Sequence, residues 1–158
     1  MADLKPAAQR VKDALGAKGL DAQVRHMPQA TRSAEEAAAA CGCAIGQIVK
    51  SLVFRGAASG RPYLLLVSGA NRVNEAAVAI LLGEALQRPD ARTVRELTGF
   101  AIGGIPPLGH RAPLATYMDE ALLAFEEVWA AAGTPDAVFP VAPDRLRVAT
   151  EARVIRVT

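Results

Sequence analysis

The sequence predicts a single domain over residues 1–158, of α+β (mixed α/β) class, built around one sheet with flanking helices. Three observations carry that prediction. At 158 residues the chain has the size of one domain, long enough to bury a substantial core. Helical and strand patterns are interspersed without a regular β-α-β period. No internal repeat or low-complexity linker divides them.

Residues 7–20 carry Val11, Ala14 and Leu15 at helical spacing, with Gly16 and Gly19 toward the end, as an amphipathic first helix would. A short strand is expected over 23–27. Ser33 and Glu36 have the spacing of a capping box, in which each side chain satisfies an orphan amide, and an alanine run continues to Gly42. Residues 48–55 and 63–68 are β-branched or leucine-rich runs separated by Gly56-Ala57-Ala58-Ser59-Gly60, the pattern of a hairpin. Asn74 is placed to cap a helix through Leu82, Thr93 a short one to about Thr98, and 143–149 form a last helix opened by Pro143. Strands are expected over 127–132, 137–141 and 153–157.

Composition excludes several classes of function. Hydrophobic residues make up 51% of the chain but aromatic residues only 4%, too few for a base-stacking binder of single strands. A net charge of +2 and a pI near 8.7 permit RNA contact without arguing for it, and DNA binding is not expected. The apolar runs are far shorter than a membrane span and no charged-then-apolar leader opens the chain, so no membrane partner and a cytoplasmic location are expected. Cys41 and Cys43 form a lone C-x-C, with His26 and His110 far away in sequence. Neither a metal site nor a cofactor is expected, and the thiols read as small, reduced core residues.

Lys50 stands out. It interrupts the apolar run Ile48-Val49-Lys50-Ser51-Leu52-Val53-Phe54, and no lysine follows it. Low dielectric disfavours the charged form of a lysine, so its presence there calls for a reason. The plain structural account is an edge-strand lysine that snorkels to solvent. The functional accounts are a Schiff-base nucleophile, a general base, or a cation that positions a carbonyl or phosphate. By strand parity Lys50 shares a face with Ile48, Leu52 and Phe54, while Ser51 points the other way unless the strand is bulged.

A second feature is the tract from Thr98-Gly99-Phe100 through Gly103-Gly104-Ile105-Pro106-Pro107-Leu108-Gly109-His110. Its glycines and prolines exclude a helix interior and a central strand, leaving a rigid, turn-rich loop. Such a loop is either a plain connection or a set of bare amides that receive a carbonyl or oxyanion. Neither G-x-G-x-x-G nor G-x-x-x-x-G-K-[ST] is present, so a nucleotide-phosphate loop is not indicated.

The run Gly46-Gln47-Ile48-Val49-Lys50-Ser51-Leu52-Val53-Phe54, the segment Leu66-Val67-Ser68-Gly69 and the tract from Thr98 to Gly109 together resemble the YbaK/ProX family. These are free-standing relatives of the editing domain inserted in bacterial prolyl-tRNA synthetases. The resemblance runs from about Ala7 past Val141. It implies a mixed, strongly curved sheet and a metal-independent hydrolase that cleaves the ester between a wrong amino acid and the terminal ribose of a tRNA, most often tRNA for proline. Lys50 matches the family's key functional side chain, and Gly103 to Pro107 match its G-x-x-x-P loop.

The roles implied by that resemblance are specific. Lys50 would act as a cation near the ester, and the amides of Gly103 and Gly104, in a loop set by Pro107, would face the carbonyl. Ser51, Ser68, Gly69, Ile102, Ala131 and Gly133 would surround the substrate. His110 is a further candidate, against the simpler account of a surface histidine. Some cysteine-type members carry a polar residue where this chain has Ala131, so the expected substrate is an alanyl or similarly small aminoacyl tRNA for proline, with cysteinyl as the alternative. Two other classes stay open: a catalytically silent module that binds tRNA or prolyl-tRNA synthetase, and an unrelated lysine-dependent enzyme.

Overall fold

The computed structural model describes residues 4–158. Helix α1 (Pro6–Ala17) opens on a proline, whose missing N–H is no loss at the first helical position. It ends before the expected Leu20, because Gly19 adopts a left-handed conformation and Leu20 N–H turns back to the Leu15 carbonyl. Strand β1 (Arg25–His26) is shorter than expected. In helix α2 (Ala34–Cys41) Ser33 Oγ accepts the Glu36 N–H, but the Glu36 carboxylate reaches back to Arg32 N–H, one residue earlier than a standard box.

The hairpin forms as read, from β2 (Ile48–Gly56) and β3 (Pro62–Ser68). Helix α3 (Glu75–Leu82) is capped by Asn74 Oδ1, which accepts the Ala77 N–H. After β4 (Leu86–Gln87), helix α4 (Ala91–Thr98) starts two residues ahead of the expected Thr93. Its cap is Asp90, which accepts the Thr93 N–H at 2.8 Å. Strands β4 and β5 (Ala115–Asp119) have no counterpart among the expected strands, whereas β6 (Val128–Ala131), β7 (Ala137–Val141) and α5 (Pro143–Thr150) fall where expected. Strand β8 (Arg153–Ile155) stops short of Val157, whose carbonyl leaves the sheet to accept Asn74 N–H.

These strands form one mixed sheet in the order β1-β7-β6-β2-β3-β5-β8, with β4 paired to β2. Pairs β2–β3, β6–β7 and β1–β7 run antiparallel, while β2–β6, β3–β5 and β5–β8 run parallel. Strand β3 lies centrally and is buried on both sides, which is why its sequence is a continuous apolar run. Leu64 and Leu66 pack with Val11, Leu15, Phe139 and Leu146 on one face. Leu65 and Val67 pack with Phe54 and Val78 on the other. Each fully buried leucine contributes about 1.5–3 kcal/mol of transfer free energy, so this strand anchors its neighbour β2 firmly. No helix among the described residues is long and apolar enough to cross a membrane.

Candidate active site

Strands β2 and β6 share only two registered pairs, Ile48 with Trp129 and Val49 with Ala130. Beyond them β2 continues along β3 while β6 ends at Ala131 beside β7. A cleft of about 700 Å³ opens at this fork. Residues 30–34 form one wall, Ile102, Gly103 and Ile105 another, and Ala130 and Ala131 with the turn at Thr134 and Pro135 line the end.

Lys50 and Ser51 are the first two residues of β2 past the fork, and both line the cleft. Pairing with β3 is unbroken from Val49 to Arg55, so there is no bulge and the two side chains lie on opposite faces. Both residues line the cleft, although the Ser51 hydroxyl itself is buried. Ile48 O accepts Gly69 N–H and Gly56 N–H donates to Arg61 O, which puts the even-numbered residues of β2 in the bonded pairs with β3. The main-chain groups of Ser51 therefore point to the side where β6 has departed.

The Lys50 ammonium donates to the Asn71 carbonyl at 2.5 Å. Burial lowers its pKa below the usual lysine value, the nearby Arg72 guanidinium lowers it further, and the Asp119 carboxylate opposes them. Ser51 Oγ is buried with no hydrogen-bond partner among the described residues.

Gly103 is exposed at the cleft in a left-handed conformation, φ +100°, and its N–H has no backbone partner among the described residues. Gly104 is different. Its N–H donates to Ala101 O at 3.2 Å, and its carbonyl accepts Gly133 N–H at 2.9 Å. A Cβ on Gly104 would lie 2.7 Å from Thr134 N and Cα, so the two backbones approach as closely as only glycine permits. Of the two expected amide donors, the fold leaves the first available and engages the second within the loop.

The remaining expected residues divide by position. Ile102 and Ala131 line the cleft, whereas Ser68, Gly69, Pro107, His110 and Gly133 do not. Ser68 Oγ donates to Gly46 O at 2.8 Å beneath the strand, and Gly69 N–H donates to Ile48 O. Pro107 is buried in the loop and Gly133 supports its far side. His110 Nε2 lies 2.7 Å from Pro106 O; a carbonyl only accepts, so Nε2 carries the proton and the ring braces the loop edge-on to Phe100. Burial lowers the His110 pKa.

Asn71, Arg72 and Asp119 act on Lys50 without having been singled out in the sequence. Asn71 and Arg72 follow Gly69 in what reads as an ordinary turn, and Asp119 ends the unforeseen β5. Among the described residues no group of three or more His, Cys, Asp or Glu is placed to hold a metal ion. Burial pushes the Cys41 thiol up to about 11, with Cys43 adding to the shift.

Residues 28–149 match the model of the aminoacyl-tRNA editing domain, a span that includes the whole cleft. The chain belongs to this family. As the motifs around Lys50 and Gly103 suggested, it is a member of the YbaK/ProX group of editing domains. A crystal structure of a candidate trans-editing enzyme for prolyl-tRNA synthetase is 49% identical over 99% of both chains, with a TM-score of 0.94. The protein APE2540 is 32% identical over 94% of this chain and 98% of its own, with a TM-score of 0.87. The protein YwhH of Bacillus subtilis (strain 168) is 27% identical over 123 residues, 78% of each chain. The editing-domain fold therefore spans the sheet, the fork and the glycine loop together.

Proposed function

We propose that this editing domain is a trans-acting deacylase that hydrolyses alanyl, or similarly small aminoacyl, tRNA for proline in the cytoplasm. The observation that carries the reading is the convergence, at one small apolar cleft, of the Lys50 cation and the unengaged Gly103 amide. An aminoacyl ester is already activated. A site that orients a water or the substrate's own 2′-hydroxyl, and receives the developing oxyanion, accelerates its hydrolysis without a covalent intermediate or a metal.

In this mechanism the ammonium of Lys50, seated on the Asn71 carbonyl, uses its remaining N–H donors to orient the terminal ribose and ester. The Gly103 N–H faces the scissile carbonyl, where one such donor is worth roughly 3–4 kcal/mol in the transition state. Ala130 and Ala131 contribute only methyl groups to the end of the cleft that they line with Thr134 and Pro135, which supports a small aliphatic side chain there. The methyl group at Ala131, in place of a polar side chain, supports alanine over the cysteine alternative.

The test is deacylation of Ala-, Cys-, Ser- and Pro-charged tRNA for proline, and of Ala-charged tRNA for alanine, by wild type and Lys50→Ala in the presence of chelator. Hydrolysis of Ala-charged tRNA for proline by wild type alone is expected. Turnover of none would leave the silent binding module as the better reading. The mild net charge of +2 supports recognition of tRNA with help from prolyl-tRNA synthetase, and selective deacylation in its absence would remove that need.

A further inference from the structure

Asp119 is 1% exposed, at the end of β5, and its carboxylate is ringed by main-chain and amide donors. Oδ2 accepts Ser68 N–H at 3.1 Å and Asn71 Nδ2 at 2.9 Å, and Oδ1 accepts Ala121 N–H at 3.0 Å. Asn71 N–H also closes onto Ser68 O at 2.9 Å, so the turn over residues 68–71 is clamped at both ends by one carboxylate. The carbonyl that this turn presents is the one that receives the Lys50 amine.

We propose that Asp119 is the positioning residue for Lys50: through Asn71 it fixes the carbonyl on which the amine rests. The choice of residue supports this. A neutral acceptor would suffice to hold a turn, whereas a buried carboxylate is unfavourable unless its charge is compensated. Among the described residues no arginine or lysine forms an ion pair with Asp119 within 4.0 Å, which leaves its three donors and the field of Lys50. Arg72 and Asp119 are the charged groups that act on Lys50, with opposite signs. An asparagine at 119 would lose the charge and turn an NH₂ toward donors.

The positioning rests on the deacylase reading only for its catalytic consequence, and the two are tested separately. Lys50 acetylation by acetic anhydride, followed by mass spectrometry on the intact fold, requires no tRNA; the exposed Lys12 and Lys18 serve as internal standards. In Asp119→Asn the amine loses the field that favours its charged form, and in Asn71→Ala the turn loses its tie to the carboxylate. Both variants are expected to acetylate Lys50 severalfold faster than wild type at one fixed pH, Asp119→Asn the more so. The alkaline limb of deacylation should move to lower pH in Asp119→Asn, with kcat reduced roughly 10–100-fold and KM little changed.

Wild-type acetylation of Lys50 in either folded variant would overturn the inference. Faster acetylation in a protein that hydrolyses no aminoacyl-tRNA would uphold the positioning and overturn the deacylase reading instead. Asn71→Ala lies on a surface loop, so the acetylation arm decides the matter even where Asp119→Asn fails to fold.

Discussion

Gly133 donates its N–H to the Gly104 carbonyl at 2.9 Å, joining the glycine loop to the turn that leaves β6. Two walls of the cleft are thereby held at a fixed spacing. A methyl group on Gly104 would strike the Thr134 backbone at 2.7 Å, and backbone cannot swing aside as a side chain can. Gly104→Ala is expected to destabilise the protein by about 1–3 kcal/mol, as overpacking does, and to reduce kcat/KM for the mischarged tRNA. Urea unfolding and single-turnover deacylation check the two effects.

Lys50 should trade stability for activity. Its folded pKa is depressed, so the folded state binds this proton less well than the unfolded chain does. Stability then rises as pH climbs from the folded value toward the ordinary lysine value of 10.5, and below that window the penalty is constant. Lys50→Met is expected to be more stable than wild type at pH 7, with the gap narrowing toward pH 10. Activity runs the opposite way: a cation is lost as pH rises through the depressed pKa, so deacylation should fall before an ordinary lysine would titrate.

Ser51 carries a buried hydroxyl with no partner among the described residues. Removing an unsatisfied buried polar group removes its desolvation penalty. Ser51→Ala is therefore expected to raise stability by about 1 kcal/mol rather than lower it. A thermal melt showing a clear loss would mean that the hydroxyl is bonded in solution.

Far from the cleft, Glu84 closes the β2–β3 hairpin. Its carboxylate accepts Tyr63 OH at 2.6 Å, Ser59 Oγ at 2.7 Å, Ser59 N–H at 2.9 Å and Ala58 N–H at 3.0 Å. These bonds, Tyr63 first, bring its pKa down to about 2. The stabilisation is complete above the usual carboxylate range and disappears as pH falls through about 2. Glu84→Gln should unfold at lower urea than wild type at pH 7, with the difference shrinking toward pH 2.

Local chemistry made much of the fold legible. Ser33 and Asn74 announced their helices because a cap bonds two or three residues away, and β3 announced itself through an apolar run that two covered faces require. Strand β5 is not legible in the sequence because Ala-Thr-Tyr-Met-Asp is short, mixed in polarity, and buries only Met118 and Asp119. Lys50 was conspicuous from its apolar neighbours alone. Its partners were not, since Asn71 lies 21 residues away and Asp119 lies on β5, whose pattern does not mark a strand. Ser68, Gly69 and His110 sit within the motifs that flank the site, yet chain proximity did not place them in it; their side chains or amides serve the scaffold behind the cleft.

The two-rung ladder between β2 and β6 also acts as a caliper. Its last rung, Val49 opposite Ala130, sets where the main chains part, so the width available to a guest is fixed by peptide geometry before any side chain contributes. Admitting a bulkier guest would mean unzipping that rung against the anchorage of β2 on β3. The size selectivity that the proposed function calls for would then draw on sheet stiffness as well as on the methyl-lined wall, and substitutions that lengthen or shorten the ladder would retune it.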